Sequence, residues 1–456
     1  MSDKTHMSAE THKVAPIGVP EWGEDREILG PLQSLTPREK IFGLVIVLLT
    51  LPAVFVGVYQ QFAGLQITGL GKPLFWGIYV TNFVFFIGIS YAGTLVSAIL
   101  RIVGARWRLS ITRAAEAITG LALLVGSVQI LLDLGRMDRA LNILLYPQPR
   151  SPLFWDALSI SSYLTLSIFY LFVPMIPDMA MCREEYRARG GFRFHLYRVL
   201  SFNWKGDERQ TRMLNRFINI MMVLIIPVAV SAHTVLAYMF SLTVQPLWHS
   251  AIYGPYFVLG AIYSGIGGLL IALALIRRYY GLGRYFKEVH VKNLSYILIA
   301  MNCLWFYFTF SEYLTVFYGD EPHEMAVLML QLKGPYAVHF WGMVACMAVS
   351  FVLLVTPRFR TFNGFALAGV FINIGMWLER YIIVTPSLSR PRLPYPTVIY
   401  SPSLMEWLET LGSLAGFVLL YWLFVKFFPI LPVWEIKEDR ERGEKEMLER
   451  TRSYAD

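Results

Sequence analysis

Cysteine is nearly absent from this chain: three in 456 residues, Cys182, Cys303 and Cys346, none in a C-x-x-C or C-x-x-C-H arrangement. That excludes a covalently attached c-type haem and argues against a cysteine-ligated iron–sulfur cluster within the chain. Charge is scarce as well, at 16% of residues, where a soluble domain carries about a quarter. No phosphate loop is present, because GLGK at Gly69–Lys72 lacks the spaced glycine before it and the Ser or Thr after it. Zinc-binding spacings and a Ser-His-Asp arrangement are also missing. Residues 1–40 are polar, include Pro16, Pro20 and Pro31, and hold no apolar run of leader type. The first span is therefore expected to act as an uncleaved anchor.

What the chain has instead is apolar length, with 55% hydrophobic and 15% aromatic residues. A helix needs about 20 apolar residues to cross the hydrocarbon core. Ten windows qualify: 41–60, 74–100, 114–134, 153–176, 217–241, 252–276, 293–316, 336–355, 362–383 and 403–428. They are far too long for barrel strands, and only helices or closed barrels satisfy every backbone group in lipid. The expectation is an all-α membrane protein with ten transmembrane helices.

Orientation follows from the basic residues between the windows. The loops after the second, fourth, sixth and eighth windows hold 20 Lys and Arg, against 7 in the alternate loops. Positive charge is retained on the cytoplasmic side, so both termini are expected there. The net charge of +8 then reflects membrane insertion and not a nucleic-acid partner. The segment after Pro432 mixes both signs (EIKEDRERGEKEMLER from Glu435) and reads as a solvated cytoplasmic helix.

Polar residues inside the windows are costly and need a partner or a task. On this orientation Asp133, Arg136, Asp156, His233, His249, Glu312, His339, Glu379, Arg380, Glu406 and Glu409 gather toward the outer side. Glu116 and Asp178 lie toward the cytoplasm, and Asn82 and Tyr91 stand along the second window. Asp133, Asp156 and His233 fall at comparable outer depth on the third, fourth and fifth windows. A carboxylate and an imidazole there could bind a quinone headgroup and take up quinol protons. Plainer readings stay open: Asp133 paired with Arg136, Asp156 capping its helix, and His233 as a core histidine. Glu312, His339, Glu379 and Arg380 converge on the same side, and Glu379–Arg380 reads either as an architectural pair or as part of a proton path. Haem would need histidines matched in depth on facing helices. Only His233 and His339 offer that, since His195 and His290 lie in or beside basic loops.

A weak internal echo links Gly88-Ile-Ser-Tyr-Ala-Gly93 to Gly260-Ala-Ile-Tyr-Ser-Gly265. Small residues let helices approach closely in lipid. The echo also fits two related four-helix units, 74–241 and 252–383, flanked by single spans at 41–60 and 403–428, with a 1–40 segment before them and a 429–456 tail after.

Several fragments carry a family resemblance. D-L-G-R at Asp133–Arg136, S-P-L-F-W-D at Ser151–Asp156 and I-P-D at Ile176–Asp178 resemble the NrfD/PsrC membrane subunits of quinone-linked oxidoreductases. N-F-V-F-F-I-G-I-S-Y-A-G-T from Asn82, A-E-A at Ala115–Ala117, W-H-S at Trp248–Ser250, P-Y-F-V-L-G-A-I from Pro255 and W-L-E-R at Trp377–Arg380 are similar to ActC, the larger NrfD-type subunit of bacterial alternative complex III. The likeness runs across all ten windows, although Tyr91 and Asp133 stand where many ActC-like chains hold histidine.

This resemblance implies two four-helix bundles with two peripheral helices in a bacterial cytoplasmic membrane. It implies no haem or iron–sulfur cluster in the subunit and a menaquinol or ubiquinol site near the outer face. Electrons would pass to a docked iron–sulfur subunit and on to c-type haem subunits, beside a second NrfD-like membrane subunit. The quinol site would map onto Asp133, Asp156 and His233, with Arg136 and Asn82 among its binding residues. Proton-path roles would fall on Tyr91, Glu116, His249, Glu312, Glu379 and Arg380. Two other functions compete. One is the membrane anchor of a molybdopterin oxidoreductase of polysulfide-reductase type. The other is a secondary transporter, although Pro52, Pro174 and Pro227 do not form the matched pair of helix breaks such transporters show.

Overall fold

The computed structural model describes residues 22–33, 35–392 and 395–453. The expected segment 1–40 therefore falls partly outside the described residues, as does the end of the tail. The ten spanning helices are α1 Pro37–Ala63, α2 Ile78–Ile102, α3 Leu109–Asp133, α4 Pro152–Arg187, α5 Glu208–Ser241, α6 Tyr253–Tyr280, α7 Glu288–Gly319, α8 Ala337–Val355, α9 Phe362–Ser389 and α10 Leu404–Phe427. A final helix, α11, covers Val433–Ser453. There is no strand among the described residues. The chain is a multi-pass membrane protein. Several helices outrun their apolar windows because hydropathy marks the hydrocarbon core, while caps set the ends. Asp207 caps α5 by accepting from the Gln210 amide at 2.8 Å, and Thr36 with Glu39 closes a capping box on α1.

Packing follows composition. α2 is buried almost throughout and α1 hardly at all, so α1 shows its apolar face to lipid and lies along α10. α2 packs on α3, α3 on α4 and α4 on α5; α6 packs on α7 and α9, and α8 on α7 and α9. The two sets meet where α6 touches α2 and α5, and where α9 touches α2. The glycine echo lies at that seam. A Cβ on Gly265 would come within 2.6 Å of the Ala92 amide nitrogen, and one on Gly88 within 3.4 Å of Ser264 Oγ. The repeated small residues thus permit a backbone approach that larger ones would block. Next to this seam α2 is wound as a π-helix over Thr94–Ile99, a distortion frequent at functional sites.

One expectation is corrected here. The charged segment after Pro432 does not begin as a solvated tail. Leu431, Val433, Trp434 and Glu435 are buried, because Arg113 inside the bundle donates to the Leu431 carbonyl at 2.9 Å and to the Pro429 carbonyl at 3.3 Å. The segment before α1 also packs down, with Ile28 and Leu32 fully buried and Asp25 receiving the Tyr285 hydroxyl at 2.8 Å. Outside the spans, burial beside Asp25 pushes the Tyr285 hydroxyl up.

Candidate functional site at the carboxylate end

The ends of the bundle differ in how their acids are held. At the end carrying the basic loops, Asp178 on α4 lies 2.5 Å from Arg113 on α3, and neither is more than 2% exposed. Glu435 lies 2.7 Å from Arg101 and 3.6 Å from Arg108, and Asp25 lies 3.1 Å from Arg440. Glu116, one level deeper, accepts from Ser97, whose hydroxyl lies 2.9 Å from that of Tyr170.

At the opposite end Asp133 and Asp156 have no such partner. Asp133 is the last residue of α3, and its Oδ1 is buried without a hydrogen-bond partner. Arg136 does not pair with it. That guanidinium is exposed and grips Asp138 at 2.7 Å, holding the Asp138 carboxyl low. Asp156, the fifth residue of α4, is buried and its Oδ1 is also unpartnered. It does not cap the helix, since the N-cap, Ser151, makes no side-chain cap bond. Asn82 joins α2 to three other helices. Its amide donates to Thr410 Oγ1 at 2.9 Å and reaches Gln129 Oε1 at 3.4 Å, while its oxygen accepts from Trp377 Nε1 at 2.9 Å.

His233 stands deeper than the sequence suggested. It precedes the end of α5 at Ser241 by roughly 12 Å at 1.5 Å per residue, whereas Asp133 ends its helix. Its Nε2 lies 3.0 Å from the Ile87 carbonyl oxygen and its Nδ1 3.0 Å from that of Ala229. A neutral imidazole can donate to only one of these, and an imidazolium to both. The ring meets Tyr91 edge-on at 4.7 Å. Tyr91 and His233 are thus brought together, while no hydrogen bond joins His233 to Asp133 or Asp156.

Glu312, Glu379 and Arg380 form a second group between α6, α7 and α9. Glu379 accepts from Trp305 Nε1 at 2.5 Å and lies 2.6 Å from Arg380 Nη1, and the Arg380 guanidinium sits 4.7 Å from the centre of the Phe257 ring. Glu312 accepts from Ser250 Oγ at 2.7 Å. Glu312 and Glu379 line one cavity of about 30 Å³ with Tyr256, Thr309 and Gln331, room for a water or two by volume. His249 does not enter this group. It is exposed beside Ser250 and acts on Glu324, opposing the upward push that burial and Glu321 give that carboxyl. His339 stacks on Tyr381 at 4.7 Å.

Sequence reasoning assigned no role to Gln60, Tyr79, Gln129, Glu406 and Glu409, which complete the outer network. Gln129 donates to Glu409 at 2.6 Å, and Tyr79 donates to Gln60 at 2.8 Å. The signal was there: Gln60 and Gln129 are polar residues inside apolar windows, and Glu406 and Glu409 stand one turn apart.

Comparison with known proteins identifies the family. Residues 66–391 match the family described as "Polysulphide reductase, NrfD". The chain is 26% identical over 419 residues to the Hdr-like menaquinol oxidoreductase integral membrane subunit of Archaeoglobus fulgidus, covering 87% of this chain and 95% of that one. It is 24% identical over 391 residues to the C subunit of selenate reductase from Mesobacillus selenatarsenatis, covering 80% of this chain and 88% of that one. With a buried polar network at one end of ten apolar helices and a family match across most of its length, the chain belongs to the NrfD family of integral membrane proteins.

Proposed function

We propose that this chain is the quinol-oxidising membrane subunit of an alternative complex III-like assembly, holding no redox cofactor of its own. Both termini and the basic loops face the cytoplasm, and the unpaired carboxylates face outward. Menaquinol or ubiquinol binds between α2 and α5 and yields its protons to the Asp133 and Asp156 region. Asn82 orients the headgroup, and His233 with Tyr91 forms the inner wall. Electrons leave for an iron–sulfur subunit docked at the outer face and continue to c-type haem subunits. Glu116 toward the cytoplasm, and Glu312, Glu379 and Arg380 in the second helix group, serve as stations for proton movement.

The observation that carries this reading is the pair of acids Asp133 and Asp156, each with a buried oxygen lacking any partner, at the end opposite the main basic loops. An ionised carboxylate left bare in a dry interior is strongly disfavoured, so such groups are suited to taking up protons. The likeness to a menaquinol oxidoreductase subunit over nearly its whole length supports quinol as the substrate.

A second reading is favoured by the likeness to a selenate reductase subunit: the same quinol chemistry in the membrane anchor of a molybdopterin oxidoreductase. Affinity purification from the native membrane with mass spectrometry separates the two. Co-purifying chains with C-x-x-C-H haem motifs and iron–sulfur motifs are expected. A molybdopterin subunit without haem c would select the anchor, and a chain that purifies alone would reject both.

A further inference from the structure

α10 was expected to be a peripheral helix, yet it places two acids in the outer network. Glu406 and Glu409 are both fully buried. Glu406 is saturated with donors: it accepts the Tyr400 hydroxyl on one oxygen, and the Gly69 and Ser403 amides, each at 2.7 Å, on the other. Glu409 is held differently. Its Oε1 accepts from Gln129 Nε2 at 2.6 Å and Ser413 Oγ at 2.5 Å, while its Oε2 has no partner. Both Glu409 and Asp133 lie within electrostatic range of Glu406, and Tyr79 lies within range of all three. Among the described residues no Lys, Arg or His is hydrogen-bonded or ion-paired to any of the three acids.

Glu406, its oxygens taken up by donors, therefore shares this network with two carboxyls that each keep a bare, buried oxygen. Binding a proton at either of those two removes a buried charge. Quinol oxidation releases two protons and two electrons. We infer that Glu409 is the second proton acceptor of the quinol site, with Asp133 as the first. Quinol becomes quinone as its two electrons pass singly to the iron–sulfur cluster of the docked subunit. One proton binds Asp133 and the other Glu409, and both are then released to the outer solvent. This assignment rests on the quinol reading above. It makes α10 a working part of the site.

Infrared difference spectroscopy of the intact purified complex, with and without quinol, in water and in deuterium oxide, tests it. The native complex is expected to show two deuterium-sensitive carboxylic-acid carbonyl bands. Asp133→Asn should remove one and Glu409→Gln the other. Glu409→Gln keeps an acceptor for Gln129 and Ser413, and should slow turnover by about a hundredfold. Glu409→Asp should retain a shifted band and recover most of the turnover. A single band in the native complex, or both bands surviving in Glu409→Gln, would overturn the assignment while leaving quinol oxidation standing. If the quinone's own bands never form, the quinol reading itself fails and this assignment falls with it.

Discussion

The Glu379–Arg380 pair aside, the two ends of this bundle bury the same kind of residue and treat it in opposite ways. At the basic end Asp178, Glu435 and Asp25 each meet an arginine, and the pairs tie α11 and the first described residues to the spanning helices. At the other end Asp133, Asp156 and Glu409 meet amides, hydroxyls or nothing. A buried carboxylate with a fitted guanidinium acts as a fastener, because separating the pair leaves a bare ion. A buried carboxylate without one is free to change its protonation state. Glu116 stands between the patterns. Its direct partner is a hydroxyl, but Arg101 and Arg113 lie within electrostatic range.

Substitutions that break this contrast should act in order of burial. Arg113→Ala would strand Asp178 without its cation, at about 3–5 kcal/mol of stability, read as a lowered melting temperature or lost assembly of the detergent-solubilised complex. Glu435→Gln should cost less, about 1.5–3 kcal/mol, because Arg101 and Arg108 are only partly buried. It should also loosen α11, measured as faster proteolysis after Pro432. Arg136→Ala should leave melting temperature and quinol oxidation unchanged, because the Arg136–Asp138 pair is exposed. A marked loss of activity there would mean that the site reaches the surface at Arg136.

Much of this was legible in the sequence. Ten helices follow from apolar length, since nothing else lets so much uncharged backbone cross lipid. Counting arginines between spans separated the end that carries the basic loops from the end where Asp133, Asp156, Glu406 and Glu409 gather. The partners could not be read the same way. Asp133 and Arg136 are three apart and looked like a helical pair, but α3 ends at Asp133, so Arg136 sits beyond the helix and turns to Asp138. His233 lies eight residues before Ser241, where both its apolar window and α5 end, whereas Asp133 ends its helix, so the difference in depth was readable from the window itself. The charged look of the tail hid the buried turn at Val433–Glu435, because one-dimensional charge does not reveal that an arginine 318 residues upstream needs the Leu431 carbonyl oxygen. Glu406 and Glu409 were visible, but their convergence with Gln129 joins α3 to α10 across most of the chain.

The central claim is that unpaired acids at the outer end take up quinol protons. Steady-state quinol oxidation by the purified complex carrying Asp133→Asn tests it most directly, with the make-up of the complex and quinol binding measured on the same sample. The account predicts an assembled complex that binds quinol and oxidises it at least about a hundredfold more slowly. Native turnover in that variant would contradict it.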